Sequence, residues 1–215
     1  MKHITFHLDF ISPYAYLAFE QLPEVLKGIS YSVDYRPVLF AGMLKHYGQL
    51  GPAEVLPKRD WTYRQVLWLA HTLNIPLQTP ASHPFNPLPL LRLAIACNAS
   101  ATGKANRFVC ETIFRHVWQS GLEAGSTERL ETLIQQLAPV NDLQSNDVKN
   151  YLKKNTDQAI AQGVFGVPAF AVADKVFWGL DALPMLRDYM LDASWFQGGD
   201  WDSVGLVGSG VHRKT

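Results

Sequence analysis

The sequence predicts an α/β protein: a four-stranded mixed sheet assembled from a βαβ half and a ββα half, with a large all-helical insertion between them. Three observations carry this. Strand-like pieces lie at the two ends of the 215-residue chain, and the long middle keeps helical spacing. A lone two-stranded hairpin is marginal in water, so the two ends must share one sheet to bury their apolar faces.

His3 to Phe10 reads as the first strand, followed at once by Ser12-Pro13 and an apolar-rich segment through Tyr14, Leu17 and Ala18, which is a turn and a helix start. Ser30 to Arg36 alternates strictly, with Tyr31, Val33 and Tyr35 on one face and Ser32, Asp34 and Arg36 on the other, a second strand. From about Glu54 to Gly163 the spacing is helical, as in Val66, Leu67, Ala70 and Leu73, or Leu130, Leu133, Ile134 and Leu137. Breaks fall at Asn74-Ile75-Pro76, Pro80 to Pro89, Gly103, Gly121 to Gly125 and Pro139 to Asp142. Ser126 or Thr127, and Ser145 or Asn146, can cap the helices that follow.

Strand character returns at Ala169 to Ala173, turns at Asp174-Lys175, continues over Val176 to Trp178 and leads into a helix from about Leu183 to Leu191. Gly198 to Thr215 is Gly-rich, lacks either period and reads as a loosely held tail. A right-handed βαβ crossover plus a ββα hairpin around four strands is the thioredoxin arrangement. The domains expected are residues 1–50 and 160–192 as one discontinuous thioredoxin-like unit, 51–159 as the helical insertion and 193–215 as the tail.

Composition removes several functional classes. Lys+Arg and Asp+Glu balance at 19 each, so no global field attracts nucleic acid or an anionic membrane. The amino terminus alternates polar and apolar residues, unlike a signal peptide, and no window approaches the ~18 uninterrupted apolar residues of a membrane span. Cys97 and Cys110 both fall in helical segments, so reduced thiols and a cytoplasmic location are expected. His3 and His7 share a strand face, but no third ligand completes a metal site, and none is expected. Gly-x-Gly-x-x-Gly after a strand, Walker A, His-Glu-x-x-His and Gly-x-Ser-x-Gly are all absent.

Ser12-Pro13 alone reads as a helix N-cap with proline at the first helical position. Its place matters more: a helix N-terminus at the first strand-to-helix turn offers free N–H groups and partial positive charge to an anion. The turn reads Ser12-Pro13-Tyr14-Ala15, so a Cys-x-x-Cys redox cycle is excluded there. Gly166-Val167-Pro168-Ala169 reads either as a proline tolerated at a strand start or as a cis Val-Pro bond that turns the Val167 backbone toward an extended ligand. In Trp178-Gly179-Leu180-Asp181 the carboxylate can cap the last helix or hold an ammonium group. Lys45 and Asn86 lie in Gly- and Pro-rich stretches with no assignable face. Arg92 is a helix residue that can pair with a carboxylate.

Asp9-Phe10-Ile11-Ser12-Pro13-Tyr14-Ala15-Tyr16-Leu17-Ala18, Val164-Phe165-Gly166-Val167-Pro168 and Phe177-Trp178-Gly179-Leu180-Asp181 together resemble the 2-hydroxychromene-2-carboxylate isomerases. These are relatives of kappa-class glutathione transferases in the DsbA-like thioredoxin group. The resemblance covers about residues 3 to 192 and implies a glutathione-dependent cis-trans isomerase of conjugated aromatic acids, working as a homodimer. It implies that Ser12 is catalytic and holds the glutathione thiol, and that Val167 and Pro168 meet the cysteinyl backbone. Trp178, Gly179, Leu180 and Asp181 would hold the γ-glutamyl end, while Lys45 and Asn86 would face the substrate. One departure stands out: the family commonly reads Asn-Asp-Arg where this chain has Leu180-Asp181-Ala182, so a cationic donor is missing there. A kappa-like transferase or peroxidase, and a binding module without chemistry, are the alternatives.

Overall fold

The computed structural model describes residues 1–98, 102–208 and 210. Strand β1 (Lys2–Leu8) forms where apolar and polar residues alternate: Ile4, Phe6 and Leu8 are fully buried, while Thr5 on the opposite face keeps partial exposure. β1 runs parallel to β2 (Tyr31–Pro37) and antiparallel to β3 (Ala169–Val172), which pairs with β4 (Lys175–Trp178). The order is β2-β1-β3-β4. Both chain ends therefore meet in one mixed sheet, as the burial argument requires.

Helix α1 (Pro13–Val25) connects β1 to β2 and buries Tyr16, Leu17 and Phe19 against the sheet. Phe19 packs on Tyr35 of β2 at 5.5 Å between ring centroids and on Phe114 at 5.2 Å. Each fully buried ring of this kind is worth roughly 1.5–3 kcal/mol. The polar face of β2 is used as well, since Asp34 pairs with Lys104 at 2.5 Å and with His3 at 3.2 Å.

Between β2 and β3 run α2 (Phe40–Tyr47), α3 (Leu56–Thr72), α4 (Leu88–Ala96), α5 (Arg107–Trp118), α6 (Thr127–Leu137) and α7 (Asn146–Ala161). Ser126 and Ser145 are the caps of α6 and α7, each accepting a backbone N–H. Val66 and Ala70 face inward on α3, but Leu67 is exposed beside Trp68. Helix α2 has no counterpart in the sequence reading. It is one short segment with Gly42 inside and no side-chain cap, and glycine there weakens an intrinsic helix by about 1 kcal/mol. Tertiary contacts form it: Met43 is buried in a cluster with Val38, Val164 and Val167.

Helix α8 (Leu183–Leu191) closes the ββα half. The start of the 193–215 tail is packed, since Phe196 is buried against Phe177 and Tyr189 and Trp201 packs on Phe196 at 5.2 Å, whereas Val204, Leu206 and Val207 beyond it are exposed. An aromatic cluster needs no sequence period. Of the expected tail, position 209 and residues 211–215 lie outside the described residues.

Candidate active site

The turn between β1 and α1 is held from three directions. Asp9, at the end of β1, is fully buried. Its two carboxyl oxygens accept the N–H of Ile11 at 3.1 Å and of Phe40, at the start of α2, at 3.0 Å. Burial pushes its pKa up to about 7, against the opposing pull of these backbone donors. Trp118 of α5 donates its indole N–H to Phe10 O at 2.9 Å. His83 contacts Ile11 O through Nε2 at 2.7 Å, and the Tyr63 hydroxyl lies 2.7 Å from its Nδ1. A carbonyl can only accept, so Nε2 carries the proton and Nδ1 accepts from Tyr63. Burial lowers the His83 pKa, in keeping with this neutral ring. The peptide bonds His83-Pro84 and Val167-Pro168 are both cis.

That scaffold presents Ser12. Its φ of −90° and ψ of 115° place it at the N-cap of α1, where its Oγ accepts the Ala15 N–H at 3.2 Å. The same hydroxyl donates to Val167 O across the cleft at 3.3 Å. Ser12 and Val167 are each 8% exposed. Among the described residues, the backbone N–H groups of Tyr14 and Val167 have no hydrogen-bond partner. The turn and the Val167 backbone facing it thus offer a hydroxyl, two unpaired amides and the positive end of a helix. Among the described residues no base contacts Oγ, so none of them activates the serine as a nucleophile.

Beyond Val167 the strand edge continues to the second expected cluster. Gly179 N–H donates to Pro168 O at 2.9 Å, which brings the end of β4 beside the turn into β3. Trp178 is 52% exposed and packs on Phe165 as a tilted ring pair with centroids 4.7 Å apart. Space is tight: a Cβ at Gly166 would sit 2.7 Å from the Trp178 indole nitrogen. Gly179 has φ +101°, and a Cβ there would meet the Asp181 carboxylate at 2.3 Å. Gly179→Ala is therefore expected to cost about 1–3 kcal/mol, read as a lower urea midpoint. An unchanged midpoint would show that the backbone relaxes freely at this bend.

Asp181 does not cap α8, correcting the structural alternative for it. The N-cap is Ala182, without a side-chain hydrogen bond. The exposed Asp181 carboxylate has no hydrogen-bond or ion-pair partner among the described residues. It is close enough to Tyr14 to add to the upward shift of that phenol, whose main cause is burial. Tyr14 donates to Gln65 of α3 at 2.7 Å, so α3 lies over this end of the turn.

Ser12, Val167 and Pro168 come together, with Trp178 to Asp181 following along the same edge. Lys45 and Asn86 are positioned differently. Lys45 lies on α2 and lines a groove with Arg92 and Lys149, and the walls of that groove include none of the residues around Ser12. Asn86 is exposed and its Oδ1 accepts the Leu88 N–H at 3.1 Å, holding the start of α4. Asp9, His83 and Trp118 were not assigned roles from sequence. Only Asp9 gave a local signal, an acid closing an otherwise apolar strand end.

A serine on the first helix of a thioredoxin fold, facing a cis-proline strand edge with no cysteine beside it, defines a thioredoxin-like protein without a dithiol centre. The family model described as a DSBA-like thioredoxin domain matches residues 3–191. The chain belongs to that family, in the group that contains the 2-hydroxychromene-2-carboxylate isomerases and the kappa-class glutathione transferases. It is 31% identical to the 2-hydroxychromene-2-carboxylate isomerase of Sphingobium xenophagum, over 89% of this chain and 99% of that protein. It is 26% identical to glutathione S-transferase kappa 2 of Caenorhabditis elegans, over 89% and 92%. A solved 2-hydroxychromene-2-carboxylate isomerase superposes with a TM-score of 0.73 at 23% identity, covering 96% of this chain and all of the other.

Proposed function

We propose that this chain is a glutathione-dependent cis-trans isomerase acting on 2-hydroxychromene-2-carboxylate or a similar conjugated aromatic acid. In this reading it works as a cytoplasmic homodimer, with residues 1–50 and 160–192 as the glutathione-holding unit. The observation that carries it is the Ser12 hydroxyl, poised between the Ala15 N–H and Val167 O with no base attached among the described residues. Such a group is suited to donating a hydrogen bond to an anion rather than to attacking a substrate.

The residues fit a γ-glutamyl tripeptide. The open Val167 N–H gives an extended peptide backbone an edge to pair with. The free Asp181 carboxylate suits an α-ammonium group, and the Trp178 and Phe165 rings give an apolar wall beside it. When bound, glutathione would supply a thiolate whose reversible addition to a conjugated acid frees the former double bond to rotate. The chain's own part is electrostatic. The Ser12 hydroxyl turns from Val167 O toward the sulfur, and the Tyr14 N–H and helix end add positive potential. A free thiol ionises near pH 8.5, so lowering its pKa by one to two units takes about 1.4–2.7 kcal/mol.

Calorimetric titration with glutathione, followed by turnover with glutathione recovery measured, tests the proposal. Binding with full recovery supports it; absence of binding rejects it. The kappa-class relatives favour a second reading, a transferase or peroxidase, which predicts net loss of glutathione during turnover. Asp181→Ala is expected to weaken glutathione binding about tenfold, as loss of one charged hydrogen bond should. An unchanged dissociation constant removes that contact from the account.

A further inference from the structure

A cavity of about 390 Å³ between α7 and the sheet takes no part in the function proposed above. Its walls are Thr5 and His7 of β1, Arg36 of β2, and Gln158, Ala161 and Gln162 of α7, with none of the residues around Ser12 among them. Local pattern brings these side chains together. Thr5 and His7 alternate with the buried Ile4, Phe6 and Leu8, so they point to the opposite face of the sheet, where His7 is the register partner of Arg36. Residues 158, 161 and 162 stand at i, i+3 and i+4 and share one helix face. All three are exposed, so the cavity opens to solvent at α7.

The polar atoms on this wall lack partners. His7 is 2% exposed, yet neither ring nitrogen makes a hydrogen bond, and Gln162 comes only near enough to counter part of its pKa shift. Burial first, and then the Arg36 charge, hold that pKa at about 4, so the ring is neutral near pH 7. Arg36 donates Nη1 to Gln158 Oε1 at 3.2 Å, its Nε is shielded without a partner, and no ion pair neutralises it among the described residues. Asp34, two residues earlier on the same face of β2, is taken by Lys104 and His3. Among the described residues no carboxylate lies on the wall. A metal cation would meet the Arg36 charge, and an apolar body would leave these nitrogens unpaired. An ionised carboxylate is flat and can only accept hydrogen bonds. Hydrogen phosphate accepts from Arg36 and the two glutamine amides in several directions, and its P–OH can donate to a bare imidazole nitrogen.

We infer that this cavity binds a phosphate group, as the free ion or on a small phosphomonoester, with Arg36 and His7 as its principal contacts. On entry the long Gln158 and Gln162 side chains swing outward and open the shielded nitrogens. The probe is inorganic phosphate, titrated at neutral pH and constant ionic strength while the imidazole resonances of His7, assigned with His7→Phe, are followed by NMR. Saturable shifts are expected in the wild-type chain. Arg36→Gln should weaken binding at least about tenfold. Ala161→Phe fills the cavity from an exposed helix position without removing a donor, and should abolish binding. Urea unfolding checks that each variant folds, and Ala161→Phe decides the matter if Arg36→Gln does not fold. Acetate is expected to bind at least about tenfold less well than phosphate. Glycerol 2-phosphate separates the two sources: tighter binding than phosphate assigns the ester, weaker binding the free ion. His7 resonances that do not respond, equal affinity in wild type and the folded variants, or acetate matching phosphate would each overturn the inference.

Discussion

Ser12→Ala is expected to lower isomerase turnover about a hundredfold, the usual effect of deleting one donor to a developing anion. Glutathione affinity is expected to change by less than about threefold, because in the proposed reading the Val167 backbone and Asp181 supply most of the binding. The split arises from geometry. The hydroxyl now rests on Val167 O at 3.3 Å, an ordinary neutral contact, and it gains strength only against a charged sulfur. Removing it also frees the Ala15 N–H that it accepts at 3.2 Å. Loss of an N-cap costs ~1 kcal/mol of stability, so assays should be run well below the unfolding temperature. Paired measurements of kcat and glutathione dissociation constant decide the matter. Unchanged turnover would leave the helix end and the Tyr14 amide as sufficient, and the serine as a cap alone.

Asp9→Asn is expected to change how stability depends on pH. In the folded chain the Asp9 carboxyl titrates at about 7 rather than 3.8, so the folded state holds its proton more tightly than the unfolded state does. That stabilisation is complete below pH 3.8 and is lost as pH rises through 7, at roughly 1.4 kcal/mol per pH unit. His7 acts in the opposite direction. Burial first, and then the Arg36 charge, lower its pKa from 6.5 to about 4. Its stabilisation is present above pH 6.5 and is lost as pH falls through 4. The two slopes oppose one another over the same window.

Removing the carboxyl therefore unmasks the histidine. Asp9→Asn should lose stability on acidification from pH 7 to 4 much more steeply than wild type, the gap growing by about 4 kcal/mol over that interval. His83 and His116, also lowered, and Glu20, raised, are present in both chains and drop out of the difference. The amide has one acceptor oxygen for two backbone donors, Ile11 and Phe40. That penalty shifts the whole curve without changing its slope. Urea unfolding at three pH values measures the effect. Parallel curves would mean that the Asp9 carboxyl is ionised throughout.

The local chemistry of this chain was legible from its residues. Alternation gave β1 and β2, Ser12-Pro13 marked a capped helix start, and Asp174-Lys175 marked the hairpin turn. The pairing of the two ends followed from one physical need, that a hairpin must find more sheet to bury its apolar face. Each of these signals acts over a few neighbouring residues, through backbone geometry, capping or side-chain period.

Packing decided the rest. Helix α2 exists because Asp9 receives the Phe40 N–H and Met43 fills a distant apolar cluster. Its own eight residues are too short and too glycine-weakened to form it unaided. His83 and Trp118 reach the β1–α1 turn from 72 and 108 residues away, and Lys45 joins Arg92 and Lys149 in a groove lined by three helices. Sequence determined the four strands, the helices that flank them and which hydroxyl opens the first helix, since those are short-range preferences. Only the tertiary structure decided what surrounds that hydroxyl and where the cations gather, since contacts between remote residues depend on how whole faces fit together.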